Sequence, residues 1–516
     1  MRNQVTQHKP TSSSPRWSNR ILIAAAVGIL FLTLFPFRLM SHARSPGHTS
    51  PFLLGGLGKD VRPLDPFLNV LLFVPFGFGL AEKLRERGKP RAVTAALVLV
   101  AGALLSYGIE FLQLYIPGRD SGWEDVLTNG TGALVGALLF DAWGEAVLRF
   151  LSQVDAALGA FLTWRRAALA LVVYFVCWFA ISAHLQKQTR LSNWDPHCLL
   201  TVGNDAAGQR SMGWQGEVLE LQLWDRALPD TLATDLMAGG APNDSSAVPV
   251  AAYAFTGSPP FRDQMKSLPE LSWTSGTPAR ADPNELMLDG KSWLASEAPA
   301  SDLVADLQRT NQFAVRVVCR PTQAAGSADG RIVSLSRPSG LVDLTVRQED
   351  ANLVFWFRNP LSVKHALLAW YVPNVFATPQ RRDILYSYDG SNLSLFIDGK
   401  RESHVYRLGP GTGLARMLRR VKPVELDGYA DIYYAAVFSP AGVLLGIAAR
   451  RLSARNIAGW SSLVFGLLAP PWLLEHLLIS ESGRFFSLQY VLLSLVLLCG
   501  SALWINADRR REAPAE

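Results

Sequence analysis

The chain has 516 residues, of which 49% are hydrophobic and 18% are charged, and its mean hydropathy is +0.16. This average combines an apolar part with a polar part, because runs of roughly 17 to 25 apolar residues, long enough to cross a bilayer, flank a long polar stretch. The net charge of +6 comes from short basic loops, which suit an anionic lipid surface and give no support to nucleic-acid binding.

Eight apolar runs predict a polytopic α-helical membrane protein with about eight spans. The first run follows a polar tail, residues 1–20, and no small-residue cleavage site follows it, so it is predicted to remain as an anchor. The second run is short, and the seventh contains two prolines and Glu475. The runs are Ile21–Phe37, Pro66–Ala81, Ala92–Leu114, Val126–Trp143, Ala167–Ser182, Ile432–Ala449, Trp460–Ile479 and Ser487–Ile505.

Basic residues predict the orientation, because short loops rich in Lys and Arg stay cytoplasmic. In the eight-span arrangement all basic loops fall on one side, so both tails, 1–20 and 507–516, are predicted cytoplasmic in the plasma (inner) membrane. Residues 183–428 are then extracytoplasmic. The cytoplasmic stretch Asp141–Arg166 has apolar residues at near-helical spacing and predicts an interfacial helix within the first helical domain, residues 21–182. The last helical domain covers residues 429–506.

The extracytoplasmic stretch predicts an inserted all-β domain. Residues alternate between apolar and polar along Gly216–Leu223 and Phe313–Val318, and a short apolar run covers Leu353–Phe357, as in strands. The pairs Asp389-Gly390 and Asp398-Gly399 are typical of turns between strands.

Two segments of this domain, Tyr386–Gly390 and Leu395–Lys400, resemble the laminin-G-like or concanavalin A-like jelly-roll family. The strand that usually closes this family, here Gly213–Leu228, precedes the segment similar to its opening strand, Val250–Phe255. This order predicts a circularly permuted sandwich, which is physically cheap because the termini of compact domains often lie close together. The resemblance implies binding of a glycan or a protein partner, sometimes through calcium.

The residues of this domain leave three questions open. Asp389 and Asp398 are interpreted as turn residues, with calcium binding as the less favoured interpretation. No unambiguous calcium loop is present, and no cofactor is evident. Three aromatic residues are interpreted as part of the core, with a surface that stacks on sugar rings as the less favoured interpretation. They are Trp356, Trp370 and Tyr371. Two cysteines, Cys198 and Cys319, share the extracytoplasmic domain, where a disulfide can form if the geometry allows it.

Polar residues at the predicted outer ends of the second, third and fourth spans form the candidate site. A carboxylate in a membrane helix costs about several kcal/mol, so it usually has a partner or a task. Spacings of three or four residues place each helical pair on one helix face. Arg119 lies in the short loop between the third and fourth spans, within reach of either carboxylate. The set is Asp65, Asn69, Glu110, Gln113, Arg119, Asp125 and Asn129.

This pattern over Ile21–Phe140 resembles the VanZ-like membrane family. The family is named for a protein associated with resistance to glycopeptide antibiotics, so the resemblance implies a role at the cell envelope and supplies no reaction. A large extracytoplasmic sandwich departs from the minimal family member. The resemblance rests on Asp65, Asn69, Phe73, Pro75 and Gly77, on Glu110 and Gln113, and on Pro117, Gly118, Arg119, Asp125, Asn129, Gly132 and Gly136.

Each polar residue also has a structural interpretation. Asp65 before Pro66 is a favourable N-cap, and Asp125 stabilises the start of its helix. Glu110 pairs with Arg119 and fixes helix packing. Glycines such as Gly132 indicate a close-packing face. The functional hypothesis is a polar pocket that binds a charged or hydroxylated envelope component while a carboxylate moves a proton.

Two functions therefore stand beside each other. The favoured one is an envelope protein whose sandwich binds a glycan or a protein partner and whose helices anchor it in the bilayer. The alternative is an intramembrane enzyme or factor that acts on a lipid-linked glycan through Glu110, Arg119 and Asp125. A transporter has little support, since no inverted repeat is visible. No hydrolase elbow, phosphate loop, zinc spacing or dinucleotide fingerprint occurs, so the sequence specifies neither substrate nor reaction.

Overall fold

A computed structural model describes residues 15–34, 64–115, 122–161, 163–240, 247–274, 286–322, 329–362, 369–402, 406–417, 426–450, 452–453 and 455–506. The chain divides into two compact units. The first, the helical unit, comprises residues 1–172, 439–467 and 496–516. The second, the sandwich unit, comprises residues 173–438 and 468–495.

Seven helices in the described parts of the chain are long and apolar enough to cross a membrane, as a multi-pass membrane protein requires. They are α1 (Pro15–Leu34), α2 (Leu64–Glu86), α3 (Arg91–Gln113), α5 (Trp164–Lys187), α9 (Leu426–Ala449), α10 (Ile457–Ser482) and α11 (Leu488–Asn506). The predicted fourth span lies in α4 (Trp123–Phe161), which is not one of the seven. Polar residues such as Thr128 and Asn129 lower its hydropathy, and the count of eight spans stays a prediction.

The fourth helix also corrects the predicted boundary at Trp143. The segment from Asp141 onward is not a separate interfacial helix, because α4 continues without a break to Phe161 and α5 begins at Trp164. No proline interrupts this stretch, and each of the two glycines there, Gly144 and Gly159, is tolerated inside a helix at a cost of about 1 kcal/mol.

Small residues hold α2 and α4 close together in the helical unit. A Cβ atom on Gly132 would collide with the carbonyl of Val70, and one on Gly136 would collide with the carbonyl of Val74. The predicted close-packing glycine face is therefore confirmed, and it brings the polar ends of both helices together. Apolar side chains fill the core beside it, among them Phe73, Val98, Ile109, Ala133 and Ala137.

The sandwich unit contains two antiparallel sheets. One has the strand order β11-β10-β9-β8-β1-β6-β4 and the other β14-β13-β12-β7-β2-β3, with β5 paired to β2 and β15 paired to β13. The strands are β1 Leu199–Val202, β2 Gln215–Trp224, β3 Ala251–Ala254, β4 Leu271–Trp273, β5 Leu286–Asp289, β6 Leu294–Ser296, β7 Phe313–Pro321, β8 Asp329–Ser336, β9 Val342–Glu349, β10 Asn352–Phe357, β11 Trp370–Val372, β12 Arg382–Tyr388, β13 Asn392–Ile397, β14 Lys400–Arg401 and β15 Tyr406–Arg407.

Alternating side chains from both sheets make the core of this unit. The ring centroids of Phe355 and Tyr386 are 3.9 Å apart, and those of Phe313 and Phe357 are 5.4 Å apart, so aromatic contacts bridge the sheets. The predicted strands therefore form as β2, β7 and β10, and the antiparallel β region is confirmed. Three short helices accompany the sheets: α6 (Asp230–Met237), α7 (Ser301–Thr310) and α8 (Pro410–Met417).

Both aspartates at the predicted turns hold turn geometry. The Oδ1 of Asp389 accepts hydrogen bonds from the backbone N–H groups of Ser391 at 2.9 Å and Asn392 at 2.6 Å. Asp398 and Gly399 have φ angles of 51° and 78°, which bend the chain from β13 into β14. These residues are turn formers, as the first interpretation predicted.

Within the sandwich unit, the loop that joins α10 to α11 is hydrogen-bonded to the β-sandwich. The Nδ2 of Asn311 donates to the carbonyl of Ser482, and the Nε2 of Gln312 donates to the carbonyl of Gly483, both at 2.6 Å. Arg190 donates to the carbonyl of Glu481 at 3.2 Å. The loop between α10 and α11 is therefore fixed to the sandwich by several hydrogen bonds within this unit.

Candidate functional site

Helices α2, α3 and α4 bring predicted site residues into one hydrogen-bonded group. The Nδ2 of Asn69 on α2 donates to Oδ1 of Asp125 on α4 at 2.6 Å. The Nδ2 of Asn129 donates to the hydroxyl of Ser106 on α3 at 2.9 Å, and that hydroxyl donates to the Asp125 carbonyl at 3.4 Å. We call Asn69, Ser106, Glu110, Asp125 and Asn129 the polar cluster.

Glu110 joins the cluster at the start of α4. Its side chain lies on α3 and is only 2% exposed, and its Oε2 accepts the backbone N–H of Gly122 at 3.0 Å. Gly122 directly precedes α4, so Glu110 binds the positive end of that helix from a neighbouring one. A carboxylate near the C-terminal end of an apolar helix thus acts as a tertiary cap, a role that the sequence did not indicate.

Asp125 lies in the first turn of α4, where the helix dipole stabilises a negative charge. This position agrees with the predicted helix-start role and adds the contact with Asn69. Gln113 is 6% exposed, and its Nε2 donates to the carbonyl of Thr33 on α1 at 2.9 Å. Its amide therefore ties α3 to α1.

Two predicted site residues have no described side chain. Asp65 lies within α2, which begins at Leu64, two residues before the start at Pro66 that a cap at Asp65 would give. Arg119 lies outside the described residues, and its predicted pairing with Glu110 stays a prediction.

One buried acceptor in the cluster lacks a partner. Asn129 is 3% exposed, and its Oδ1 has no hydrogen-bond partner among the described residues. A buried polar atom left unpaired costs about 1 to 3 kcal/mol, so such an atom marks a place where a donor from a ligand or a water molecule fits. Among the described residues, the Oδ1 of Asn129 is therefore an acceptor available to a further donor.

The chemistry of the cluster follows from its residue types. Carboxylates and amide carbonyls accept hydrogen bonds from hydroxyl groups, and a carboxylate can also accept a proton. No group of three or more His, Cys, Asp or Glu side chains in the described ranges has the arrangement of a metal site. The cluster thus suits recognition of a hydroxylated molecule.

The aromatic candidates of the sandwich separate into two groups. Trp356 and Trp370 are each 5% exposed, and the ring of Trp370 stacks on Tyr406 with centroids 5.7 Å apart. Both tryptophans therefore belong to buried packing. Tyr371 on β11 is 50% exposed and presents an aromatic surface to solvent.

The cysteines of the sandwich are both buried thiols. Cys198 donates to Oδ2 of Asp343 at 3.2 Å, and Cys319 lies on β7 in the other sheet, so the structure contains no disulfide between them. Burial raises the pKa of both thiols, which keeps them protonated and unreactive. Burial also raises the pKa of Asp343.

A second set of polar residues was not predicted. Glu475 on α10 pairs with Arg484 in the following loop, and its Oε1 accepts the N–H of Ser487 at 2.8 Å. Glu475 was visible as a carboxylate inside an apolar run. Its partner was not, because nine residues separate the two and only the fold of the loop brings them into contact.

Comparison with known families now adds to this geometry. Residues 7–144 match the family model described as VanZ/LLP1. The match ends within α4, so it includes the polar cluster and leaves the sandwich outside. Comparisons with curated proteins and with solved structures give no match. The N-terminal region is thus VanZ-like, which supports a membrane protein of the cell envelope, while the laminin-G-like assignment stays a prediction.

Proposed function

We propose that this chain is a plasma-membrane protein of the bacterial envelope whose polar cluster binds the hydroxylated headgroup of a lipid-linked glycan. The observation that carries the proposal is the Oδ1 of Asn129, which has no partner among the described residues and belongs to the same hydrogen-bonded group as Asp125. The proposal agrees with the predicted topology, which puts the cluster at the outer ends of three spans.

The balance of donors and acceptors favours a sugar over an apolar ligand. Each sugar hydroxyl donates one hydrogen bond and accepts others, and the cluster supplies carboxylate and amide oxygens. Bonds from hydroxyls to carboxylates are about twice as strong as bonds between neutral groups. A glycan carried on a lipid also has the apolar tail that helices exposed to lipid accommodate.

The alternative function uses the same residues. In an intramembrane enzyme or factor, Arg119 would hold a phosphate of the lipid-linked glycan while Glu110 or Asp125 moves a proton. The hydrogen bond from the Gly122 N–H holds the Glu110 carboxylate in place. A fixed carboxylate supports this alternative, because catalysis needs a fixed geometry.

The test compares Glu110→Gln with the matched variant Glu124→Gln, which lies outside the cluster in the first turn of α4. Each full-length protein is purified from native membranes, and its co-purified lipids are identified by mass spectrometry. We expect wild type and Glu124→Gln to retain a lipid-linked glycan and Glu110→Gln to lose most of it at unchanged abundance. Loss of folded protein, or retention of the glycan by Glu110→Gln, would contradict the proposal.

A separate contribution is assigned to the sandwich, which we propose to be laminin-G-like, circularly permuted and lectin-like, binding a glycan or a protein partner. The antiparallel pairing of β2 with β3 suits a permuted order, because it joins the family's closing and opening strands. Exposed Tyr371 supplies a surface for sugar stacking. Binding of the full chain to a glycan array, with and without calcium, should weaken in Tyr371→Ala and persist in Met265→Ala. Equal binding by the two variants would contradict the proposed role of the sandwich.

A further inference from the structure

The sandwich unit contains a cavity of about 20 Å³, lined in part by two arginines, that neither the family match nor the polar cluster explains. It lies where α8 begins and beside the first turns of α9 and α11, which the predicted topology puts at the outer face of the membrane. Among the described residues, both charged side chains that line it are arginines. The lining groups that carry the argument are Arg407, Thr412, Tyr433, Tyr434, Arg484 and Tyr490.

Arg484 is the first of two fixed arginines. It is 5% exposed, and its Nη2 pairs with Glu475, which fixes the guanidinium in place. Its Nε is also buried and has no hydrogen-bond partner among the described residues. An unfilled donor on a buried guanidinium costs free energy unless an acceptor reaches it, so this atom points to a ligand.

Arg407 is the second, and its Nη1 donates to the hydroxyl of Tyr490 at 3.1 Å. The N-terminus of α8 adds backbone N–H groups that have no acceptor within the helix, together with the positive end of its dipole. Gly411 is required there, because a Cβ would collide with the carbonyl of Tyr429.

The groups that line the cavity favour an acceptor as the ligand. Three carboxylates are nearby: Asp389, Asp431 and Glu475. None of them lines the cavity, and Asp389 and Glu475 accept hydrogen bonds from their own neighbours. The lining is therefore rich in donors, since arginine has no acceptor at all.

We propose that this cavity binds one oxygen of a phosphate group, supplied by the headgroup of a membrane phospholipid. A volume of about 20 Å³ accommodates one water-sized group, so a single phosphate oxygen enters and the remainder stays at the opening. Arginines and a helix N-terminus are the usual protein partners of phosphate. This site is independent of the polar cluster on α2, α3 and α4.

The test measures the melting temperature of the detergent-purified full chain with phosphatidylglycerol, with phosphate-free diglucosyl diacylglycerol, or with inorganic phosphate. Phosphatidylglycerol should raise the melting temperature, and the phosphate-free lipid should not. Arg407→Gln and Tyr434→Phe should each need about tenfold more phosphatidylglycerol for the same shift, as expected when a hydrogen bond to a charged group is lost.

Arg401→Gln is the matched control, because it removes the same charge from β14, outside the cavity, and should respond like wild type. If inorganic phosphate raises the melting temperature equally, with the same dependence on Arg407, that result would support a phosphate site and identify the free ion, and not a lipid headgroup, as its ligand. Wild-type responses to phosphatidylglycerol in both Arg407→Gln and Tyr434→Phe would overturn the proposal. Tyr434→Phe removes only a hydroxyl and keeps the test decisive if Arg407→Gln does not fold.

Discussion

The sandwich and the helical bundle bury polar groups in different ways. In the sandwich, buried charges face opposite charges: Arg316 forms two bonds to Asp383 at 2.9 and 2.6 Å, and Arg358 forms two to Asp343 at 2.7 and 2.6 Å. These pairs satisfy each other and need no further partner. They are elements of the fold.

In the polar cluster of the bundle, the hydrogen bonds between described residues involve neutral amide, hydroxyl and backbone groups as donors. Its carboxylates accept from an amide on Asn69 and from the backbone of Gly122, and the Oδ1 of Asn129 has no partner among the described residues. We interpret the ion pairs of Arg316 and Arg358 as elements of the fold and the open acceptor of Asn129 as a binding contact. The difference predicts that mutations in the two regions will affect different measurements.

The largest effect on stability is expected for Asp343→Asn. Asp343 is fully buried and also accepts the N–H of Asp195 at 2.7 Å, so the variant leaves the Arg358 charge without its counter-ion. We expect a loss of about 3 to 5 kcal/mol in the free energy of unfolding, seen as a lower melting temperature. Asp235→Asn, an exposed control, should melt like wild type. Equal melting temperatures for the two variants would contradict the claim that the buried ion pairs of the sandwich stabilise its fold.

A smaller loss in the free energy of unfolding is expected for Gly136→Ala, because the added methyl group collides with the backbone of α2. Overpacking of this kind costs about 1 to 3 kcal/mol. Gly108→Ala is the matched control on α3, because no atom lies within 4 Å of its added Cβ. Melting curves of both proteins in detergent test the prediction, and an unchanged Gly136→Ala would show that the glycine face is not a packing constraint.

Asn69→Ala removes one hydrogen bond to Asp125 and should cost about 1 to 2 kcal/mol. Asn69→Asp should cost more at neutral pH, because it brings a second carboxylate against Asp125, and the excess should shrink as the pH falls. Melting temperatures at pH 7 and pH 5 test both variants. An Asn69→Asp protein that is as stable as wild type at both values would contradict the described contact.

The smallest expected effect is the contribution of Asp195 to the pH dependence of stability. The backbone N–H of His197 and the guanidinium of Arg337 lower its pKa to about 2, below the usual value of about 3.9. A depressed pKa gives stability that is present above pH ~4 and lost as the pH falls through the folded value. The melting difference between wild type and Asp195→Asn should therefore narrow from pH 5 to pH 2. A constant difference would contradict this assignment.

Local pattern predicted much of the fold. Alternation is a property of neighbouring residues, so β2, β7 and β10 could be predicted within three residues of their bounds. The contact of Asn69 with Asp125 was expected in outline, because helical spacing and a short loop place polar ends at one depth. The continuous α4 was missed because the change from apolar to amphipathic pattern does not end a helix without a breaker.

Contacts between distant segments could not be predicted. Asn311 and Ser482 are 171 positions apart, and nothing near either residue indicates that one donates to the other. The same holds for the buried cavity beside Arg484, which forms only when the sandwich, α9 and α11 pack together. Such sites depend on tertiary packing, which no local period encodes.

The most direct test of the polar cluster as a binding site is cryo-electron microscopy of the full chain in nanodiscs formed from native membranes. We expect density of a lipid-linked glycan with a hydroxyl within about 3 Å of the Asn129 Oδ1, a normal hydrogen-bond distance. A protein side chain such as Arg119 in that position, with no ligand present, would make the cluster a structural network and contradict the proposed function.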